Sequence, residues 1–136
     1  MKNINRLIVY LLAIANFSKD IHYNCKGDSF YSKHLLCDRI SDNLYSYIDG
    51  IKEVFFLAAD KEPLPSVEYL NFAMSQIPQI SKDDKACFIS LATLLVQTLQ
   101  LIEELQDLTK GEENLIGAIA ENLQTSLGLI NRQIKD

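Results

Sequence analysis

Histidine and cysteine are scarce in this chain of 136 residues. It has two histidines, His22 and His34, and three cysteines, Cys25, Cys37 and Cys87. The cysteines form no CxxC pair and leave an odd count, which argues against a disulfide framework and favours a reducing cytoplasm. With 48% hydrophobic residues, the chain is able to bury a core without disulfide or zinc staples. We expect Cys37 in that core, as a small hydrophobe.

Several patterns are absent altogether. No Glu-x-x-His sequence occurs, so the usual di-iron centre inside a four-helix bundle is not expected. There is no strand pattern, no repeat and no low-complexity segment. The net charge of −5 argues against a general nucleic-acid binder. The termini carry only Lys2, Arg6, Arg132 and Lys135 as strong bases, and we therefore predict weak or no DNA binding.

Apolar residues recur instead at helical spacing. The pattern predicts one all-α domain over residues 1–136, with helices at about residues 3–24, 29–59, 66–76, 82–109 and 112–134. The expected helix breakers are Gly27, Pro63, Pro65, Pro78 and Gly111. Four long helices with a short cross-over helix between the second and third predict a ferritin-like four-helix bundle.

The N-terminal helix has an alternative interpretation. Lys2 and Arg6 precede the apolar run LIVYLLAIA, and Ala13 to Ala15 resembles a small-residue cleavage site, which together outline a secretory signal. The run is shorter than the roughly 20 apolar residues that span a bilayer. We favour a first bundle helix, and hence a cytoplasmic protein without a membrane segment.

Both histidines and three acids lie at helical intervals between His22 and Glu53. On one helix, Asp38, Asp49 and Glu53 fall within about 100° of His34. However, the pair His34/Asp38 lies about 22 Å along the axis from the pair Asp49/Glu53. No single ion reaches both pairs in one chain. An antiparallel copy of the helix, related by a two-fold axis, would bring a histidine end against a carboxylate end. The spacing therefore predicts a dimer with two equivalent shared metal sites.

Each of these residues also has an ordinary structural alternative. A histidine beside apolar residues is more often held by structure than by metal, and an acidic stripe is usually solvated. Tyr31, Leu35 and Tyr45 lie on the same stripe, and aromatic residues are typical of an interface rather than of a solvated face.

The same segment resembles the signature of the Dps family, the mini-ferritins. The matching features are His22-Tyr23, Lys26-Gly27, Phe30, His34, Asp38, and Asp49 with Glu53. The resemblance continues more weakly through PLPSVEYLNFAMSQI, which is similar to the family's cross-over helix. The chain departs from the family at four places. Tyr23 stands where Trp is usual, Lys52 where a small residue is usual and Val54 where Arg is usual, and Gly128 lies near the place of a Trp-containing ending.

The resemblance implies a ferroxidase that uses peroxide or dioxygen and stores ferric oxide in a hollow shell of twelve subunits. On this hypothesis, Asp49 and Glu53 of one subunit and His22 of its mate hold the first Fe(II). His34 and Asp38 of the mate define a second, weaker position. Imidazole and carboxylate ligands suit iron, and also manganese or zinc. The alternative function is a metal-binding or scaffolding helical dimer without ferroxidase activity.

Overall fold

The computed structural model describes residues 1–135. All regular structure in this range is helical, which confirms the predicted all-α class. The elements are α1 (Asn3–Asn24), α2 (Phe30–Asp42), α3 (Leu44–Ile51), a π-helical segment (Lys52–Leu57), α4 (Ser66–Met74), α5 (Asp84–Glu103) and α6 (Lys110–Gln133).

Helix α1 lies at the centre of the packing. It contacts α2, α3, α4 and α5, and Leu7, Leu11, Ile14 and Phe17 are fully buried. The remaining helices supply the other side of the core, including Cys37 from α2, which is also fully buried as predicted. The apolar run that resembles a signal sequence is therefore the central core helix of this fold.

The prediction of one continuous helix over residues 29–59 is wrong. Asn43, at φ −95° and ψ −4°, interrupts it between α2 and α3, and asparagine is a weak helix former. From Lys52 the winding becomes π-helical, with the Ala58 N–H donating to the Glu53 carbonyl at 2.8 Å. The uniform step of about 100° per residue therefore does not extend to Glu53.

The later helices differ from their predicted ranges at the ends. Helix α4 ends at Met74, α5 covers Asp84–Glu103 and α6 begins at Lys110. Thr109 and Glu112 form a reciprocal capping box. Gly111 therefore lies inside the first turn of α6 and does not separate two helices as predicted. At α5 the cap is Asp83, whose side chain accepts a hydrogen bond from the Lys85 N–H.

Helix α5 is long and apolar enough to cross a membrane, the one such helix between residues 1 and 135. In its most apolar window, 44% of the residues are buried within the fold. Phe88, Leu91 and Leu95 are among the core residues that it contributes. A core helix of a soluble protein meets the same criterion.

Candidate metal centre

The two histidines lie against each other where α1 ends and α2 begins. Their rings stack with centroids 3.6 Å apart and an interplanar angle of 19°. Nδ1 of His22 lies 2.8 Å from the carbonyl oxygen of His34, and Nδ1 of His34 lies 2.8 Å from the carbonyl oxygen of His22. We call this reciprocal arrangement the histidine pair.

The histidine pair determines which ring nitrogen is free. A carbonyl oxygen only accepts hydrogen bonds, so each Nδ1 carries the donated proton. In a neutral imidazole, Nε2 is then the unprotonated nitrogen with a lone pair available to a metal. Metal-binding histidines commonly donate the other ring N–H to a carbonyl in this way. Both histidines therefore have the tautomer that suits Nε2 ligation.

Aromatic side chains enclose the pair on two sides. Phe30 stacks on His34 with ring centroids 5.3 Å apart. Tyr23 meets His22 edge-on at 5.0 Å, although Tyr23 itself is 75% exposed. Tyr23, the residue that departs from the family pattern, thus still contacts the first histidine.

A charged cluster holds the α1–α2 turn against the start of α5. Asp84 accepts hydrogen bonds from the Lys26 N–H at 2.9 Å and from the Lys33 ammonium at 2.6 Å. Lys33 also donates to the Lys26 carbonyl at 2.7 Å. Gly27, at φ +72°, makes the turn possible. We call Lys26, Lys33 and Asp84 the turn clasp.

The turn clasp changes the acidity of Asp84. Burial raises its pKa, but the hydrogen bonds from Lys26 and Lys33 and their charges outweigh this effect and leave the pKa below its usual value. The Asp84 and Lys33 side chains are only 18% and 12% exposed, so the ion pair is little screened by solvent. The turn between the two helices that carry the histidines is thereby tied to α5.

Asp38 lies on the next turn of α2 after His34 and pairs with Lys19 of α1. The Lys19 ammonium donates to Asp38 Oδ1 at 2.7 Å, and both side chains are partly exposed. The hydrogen bond and the charge of Lys19 lower the pKa of Asp38, with smaller contributions from His22 and His34. Asp38 is therefore ionised and near the histidine pair, but Lys19 competes with any cation for it.

Asp49 and Glu53 form the other end of the predicted site. Both are exposed, Asp49 in α3 and Glu53 in the π-helical segment. Among residues 1–135, neither carboxylate has a hydrogen-bond or ion-pair partner. Two exposed carboxylates without partners are free to take a cation. π-Helical turns occur frequently at functional sites.

One residue of the π-helical segment, Lys52, contacts the ring of Tyr69 in α4. The Lys52 ammonium lies 5.1 Å from the centre of the Tyr69 ring. The Tyr69 hydroxyl donates to Asn5 Oδ1 at 2.7 Å and accepts from the Leu64 N–H at 3.1 Å. Lys52, another departure from the family pattern, lies in the same segment as Glu53. Its ammonium group thus contacts a buried aromatic ring of α4.

Cys37 takes no part in this centre. Cys25, Cys37 and Cys87 are all buried and free. Burial, with smaller contributions from the other two thiols and Asp84, raises the pKa of Cys37 to about 12. A thiol with so high a pKa stays protonated near neutral pH and is a poor metal ligand.

Within one chain the structure brings together only part of the predicted site. His22 and His34 are in contact and Asp38 is near them, and Asp49 and Glu53 lie further along α3 and the π-helical segment. In the described part of the chain, no group of three or more His, Cys, Asp or Glu side chains is placed to hold a metal ion. Sequence reasoning missed Lys19, Lys33 and Asp84. Lys33 and Asp84 are 51 positions apart, and no local pattern links them.

Comparison with protein-family models and with curated protein sequences finds no match to this chain. The resemblance to the mini-ferritins therefore rests on the chain's own residues.

Proposed function

We propose that this protein is a divergent mini-ferritin with a ferritin-like bundle, which oxidises Fe(II) at a di-metal site between two subunits. Peroxide or dioxygen is the oxidant, and the ferric product collects inside a hollow oligomer in the cytoplasm. The observation that carries the proposal is the histidine pair, whose reciprocal hydrogen bonds to backbone carbonyls use Nδ1 of each ring and leave Nε2 as the ligand atom of the neutral imidazoles. Rings held in this way are ready to bind a cation without reorganising.

The proposal assigns each half of the site to a different subunit. Asp49 and Glu53 hold the first Fe(II) together with His22 of the partner subunit. His34 and Asp38 of the partner subunit provide the second position. The two halves lie on different elements, α2 on one side and α3 with the π-helical segment on the other, so one chain does not complete the site, whereas a two-fold axis presents each half to the other twice.

The donor set suits oxidation of the iron substrate. Carboxylate oxygens are hard anionic ligands, which stabilise Fe(III) relative to Fe(II). Two Fe(II) ions supply the two electrons that reduce one hydrogen peroxide to water, with two protons taken up. Pairing the irons in this way avoids a one-electron step that would release hydroxyl radical.

Mixing two inactive variants tests whether the site is shared. His22→Ala and Asp49→Ala each damage both sites of a homodimer. A mixed dimer has one site with both mutations and one intact site. With equal mixing, half of the dimers are mixed, so we expect about a quarter of the parent rate of Fe(II) oxidation by peroxide.

The experiment requires differently tagged subunits, co-refolded and compared with each variant alone. Glu103→Ala, which removes an exposed acid at the end of α5, is the control and should keep the parent rate. A mixture as inactive as its two components would contradict shared sites. Single variants as fast as the parent would contradict the assignment of residues.

One observation favours a second candidate function, a metal-binding dimer without ferroxidase activity. Asp38, the acid of the second position, is paired with Lys19. Because Lys19 competes with a cation for this acid, each site would bind one metal ion and paired oxidation would not occur. Zinc or manganese suits such a site. Titration separates the two functions, because ferroxidase chemistry needs two Fe(II) per site and consumes peroxide.

A further inference from the structure

A hollow of about 300 Å³ lies where α6 passes the junction of α2 and α3, and we call it the α6 hollow. Arg39 of α2 and Tyr47 of α3 line it, and along the chain they lie on either side of the interruption at Asn43. The other wall is a single face of α6, because the residues that line it there recur at a spacing of three to four. They are Ala118, Glu121, Asn122 and Thr125.

Two residues of the α6 hollow are charged, and they are opposite in sign. They are Arg39 and Glu121, and both are exposed. Within residues 1–135, neither side chain has a hydrogen-bond or ion-pair partner, and the two do not pair with each other. No other charged residue occurs on α6 between positions 114 and 131. The hollow therefore presents one cationic and one anionic group, each open to a ligand.

Neutral polar groups of the α6 hollow are also without partners. In the part of the chain that the structure describes, neither the Tyr47 hydroxyl nor the Asn122 side-chain amide takes part in a hydrogen bond. Both residues are half-buried, and a hydroxyl and an amide each donate and accept hydrogen bonds. The Thr125 hydroxyl differs, because it donates to the Glu121 carbonyl at 3.1 Å. Tyr47 and Asn122 are thus the neutral groups that a ligand meets.

The two charges select the chemical class of the ligand. A simple anion that reached Arg39 would be repelled by Glu121, and a simple cation that reached Glu121 would be repelled by Arg39. A zwitterion satisfies both groups, since a guanidinium donates to a carboxylate and a carboxylate accepts from an ammonium. The volume of about 300 Å³ lies at the lower end of the range for ligand pockets, which suits a molecule of metabolite size.

We infer that the α6 hollow binds the zwitterion of an α-amino acid with an uncharged polar side chain. The α-carboxylate pairs with the Arg39 guanidinium, and the α-ammonium donates to the Glu121 carboxylate. A side-chain amide suits the Asn122 amide and the Tyr47 hydroxyl, because amides have both donors and an acceptor. Neither charged residue belongs to the proposed metal site, so the inference does not rest on the proposed function.

Saturation-transfer difference NMR on the full chain tests the inference with L-glutamine as the ligand, whatever the size of the assembly. We expect saturable binding with a dissociation constant on the order of 1 mM, since solvent screens two exposed charges. N-Acetyl-L-glutamine lacks the ammonium and L-glutamine α-amide lacks the carboxylate, and each should bind at least about ten-fold more weakly. The absence of saturable binding, or equal affinity for the three compounds, would overturn the inference.

Charge-removing variants separate the two contacts. Arg39→Gln should weaken the binding of L-glutamine at least about ten-fold and abolish the preference over the α-amide, which has no carboxylate to lose. Glu121→Gln should weaken it similarly and reduce the preference over the N-acetyl compound. The matched controls are Arg132→Gln and Glu113→Gln, at exposed residues of α6 outside the hollow, and both should keep the parent affinity.

Circular dichroism checks that each variant is folded. Parent-like affinity in folded Arg39→Gln and Glu121→Gln would overturn the inference, as would an equal loss in the two controls. A lowered sedimentation coefficient of Arg39→Gln with unchanged affinity for L-glutamine would also overturn it, because the two charges would then pair between copies of the chain.

Discussion

At the histidine end of the candidate site, His22 and His34 are held by two backbone hydrogen bonds and enclosed by aromatic rings. At the carboxylate end, Asp49 and Glu53 are exposed on a helix that changes from α to π winding between them. The first end is preorganised within the chain, and the second has unpartnered charge. The histidine end therefore offers ligands in fixed positions, and the carboxylate end offers anionic oxygen atoms. A metal site shared between two subunits would need both.

The largest expected effect comes from removing the turn clasp, which should loosen the histidine end alone. Asp84→Asn removes the charge that pairs with the largely buried Lys33, and we expect the free energy of unfolding to fall by about 2 kcal/mol. Urea denaturation measures this. Asp83→Asn is the matched control, since asparagine caps a helix as well as aspartate does. Equal losses in both variants would contradict a specific role for the clasp.

The same variant should change the dependence of stability on pH. The folded pKa of Asp84 lies below its usual value in an unfolded chain. Its ionised form therefore stabilises the fold above that value, and this contribution is lost as the pH falls through the lower folded pKa. In Asp84→Asn, acid denaturation should lack this component. If the stability of the parent and that of the variant fall in parallel as the pH is lowered, Asp84 does not contribute in this way.

Tyr69→Phe should weaken the packing of α4 against α1, beside the carboxylate end, with a smaller effect. The substitution removes the hydroxyl that pairs with buried Asn5 and with the Leu64 N–H, and we expect a loss of about 1.5 kcal/mol in the free energy of unfolding. The ring remains for Lys52. Tyr10→Phe, at a half-buried tyrosine, should be nearly neutral. A neutral Tyr69→Phe would mean that these two hydrogen bonds do not stabilise the fold.

The smallest effect, and one of opposite sign, is expected at Gly50 beside Asp49. A Cβ there would lie 3.5 Å from Leu115 Cδ1, an ordinary contact. Gly50→Ala should therefore stabilise α3 by about 1 kcal/mol. Gly27→Ala in the histidine-end turn should destabilise by about 1 kcal/mol, because φ is +72°. Thermal denaturation of the pair checks both signs. A destabilising Gly50→Ala would show that the carboxylate end needs glycine.

Much of the fold is predictable from local patterns. The 3–4 spacing of apolar residues locates the helices, and the first one coincides with its predicted range of residues 3–24. The interruption at Asn43 and the π winding after Ile51 leave no comparable signal, because the apolar spacing continues through both. The metal site stays a prediction, because testing it requires a second subunit. Its residues are His22, His34, Asp38, Asp49 and Glu53.

The sequence by itself determined the helical class, the buried position of Cys37 and the turn at Gly27, because periodicity, hydrophobicity and backbone freedom act over a few neighbouring residues. Only the tertiary structure decided which nitrogen of each histidine is free, and that Lys33 reaches Asp84 and Lys19 reaches Asp38. These features depend on atoms of different helices coming within hydrogen-bonding distance. That approach is set by the packing around α1 rather than by any local run of residues.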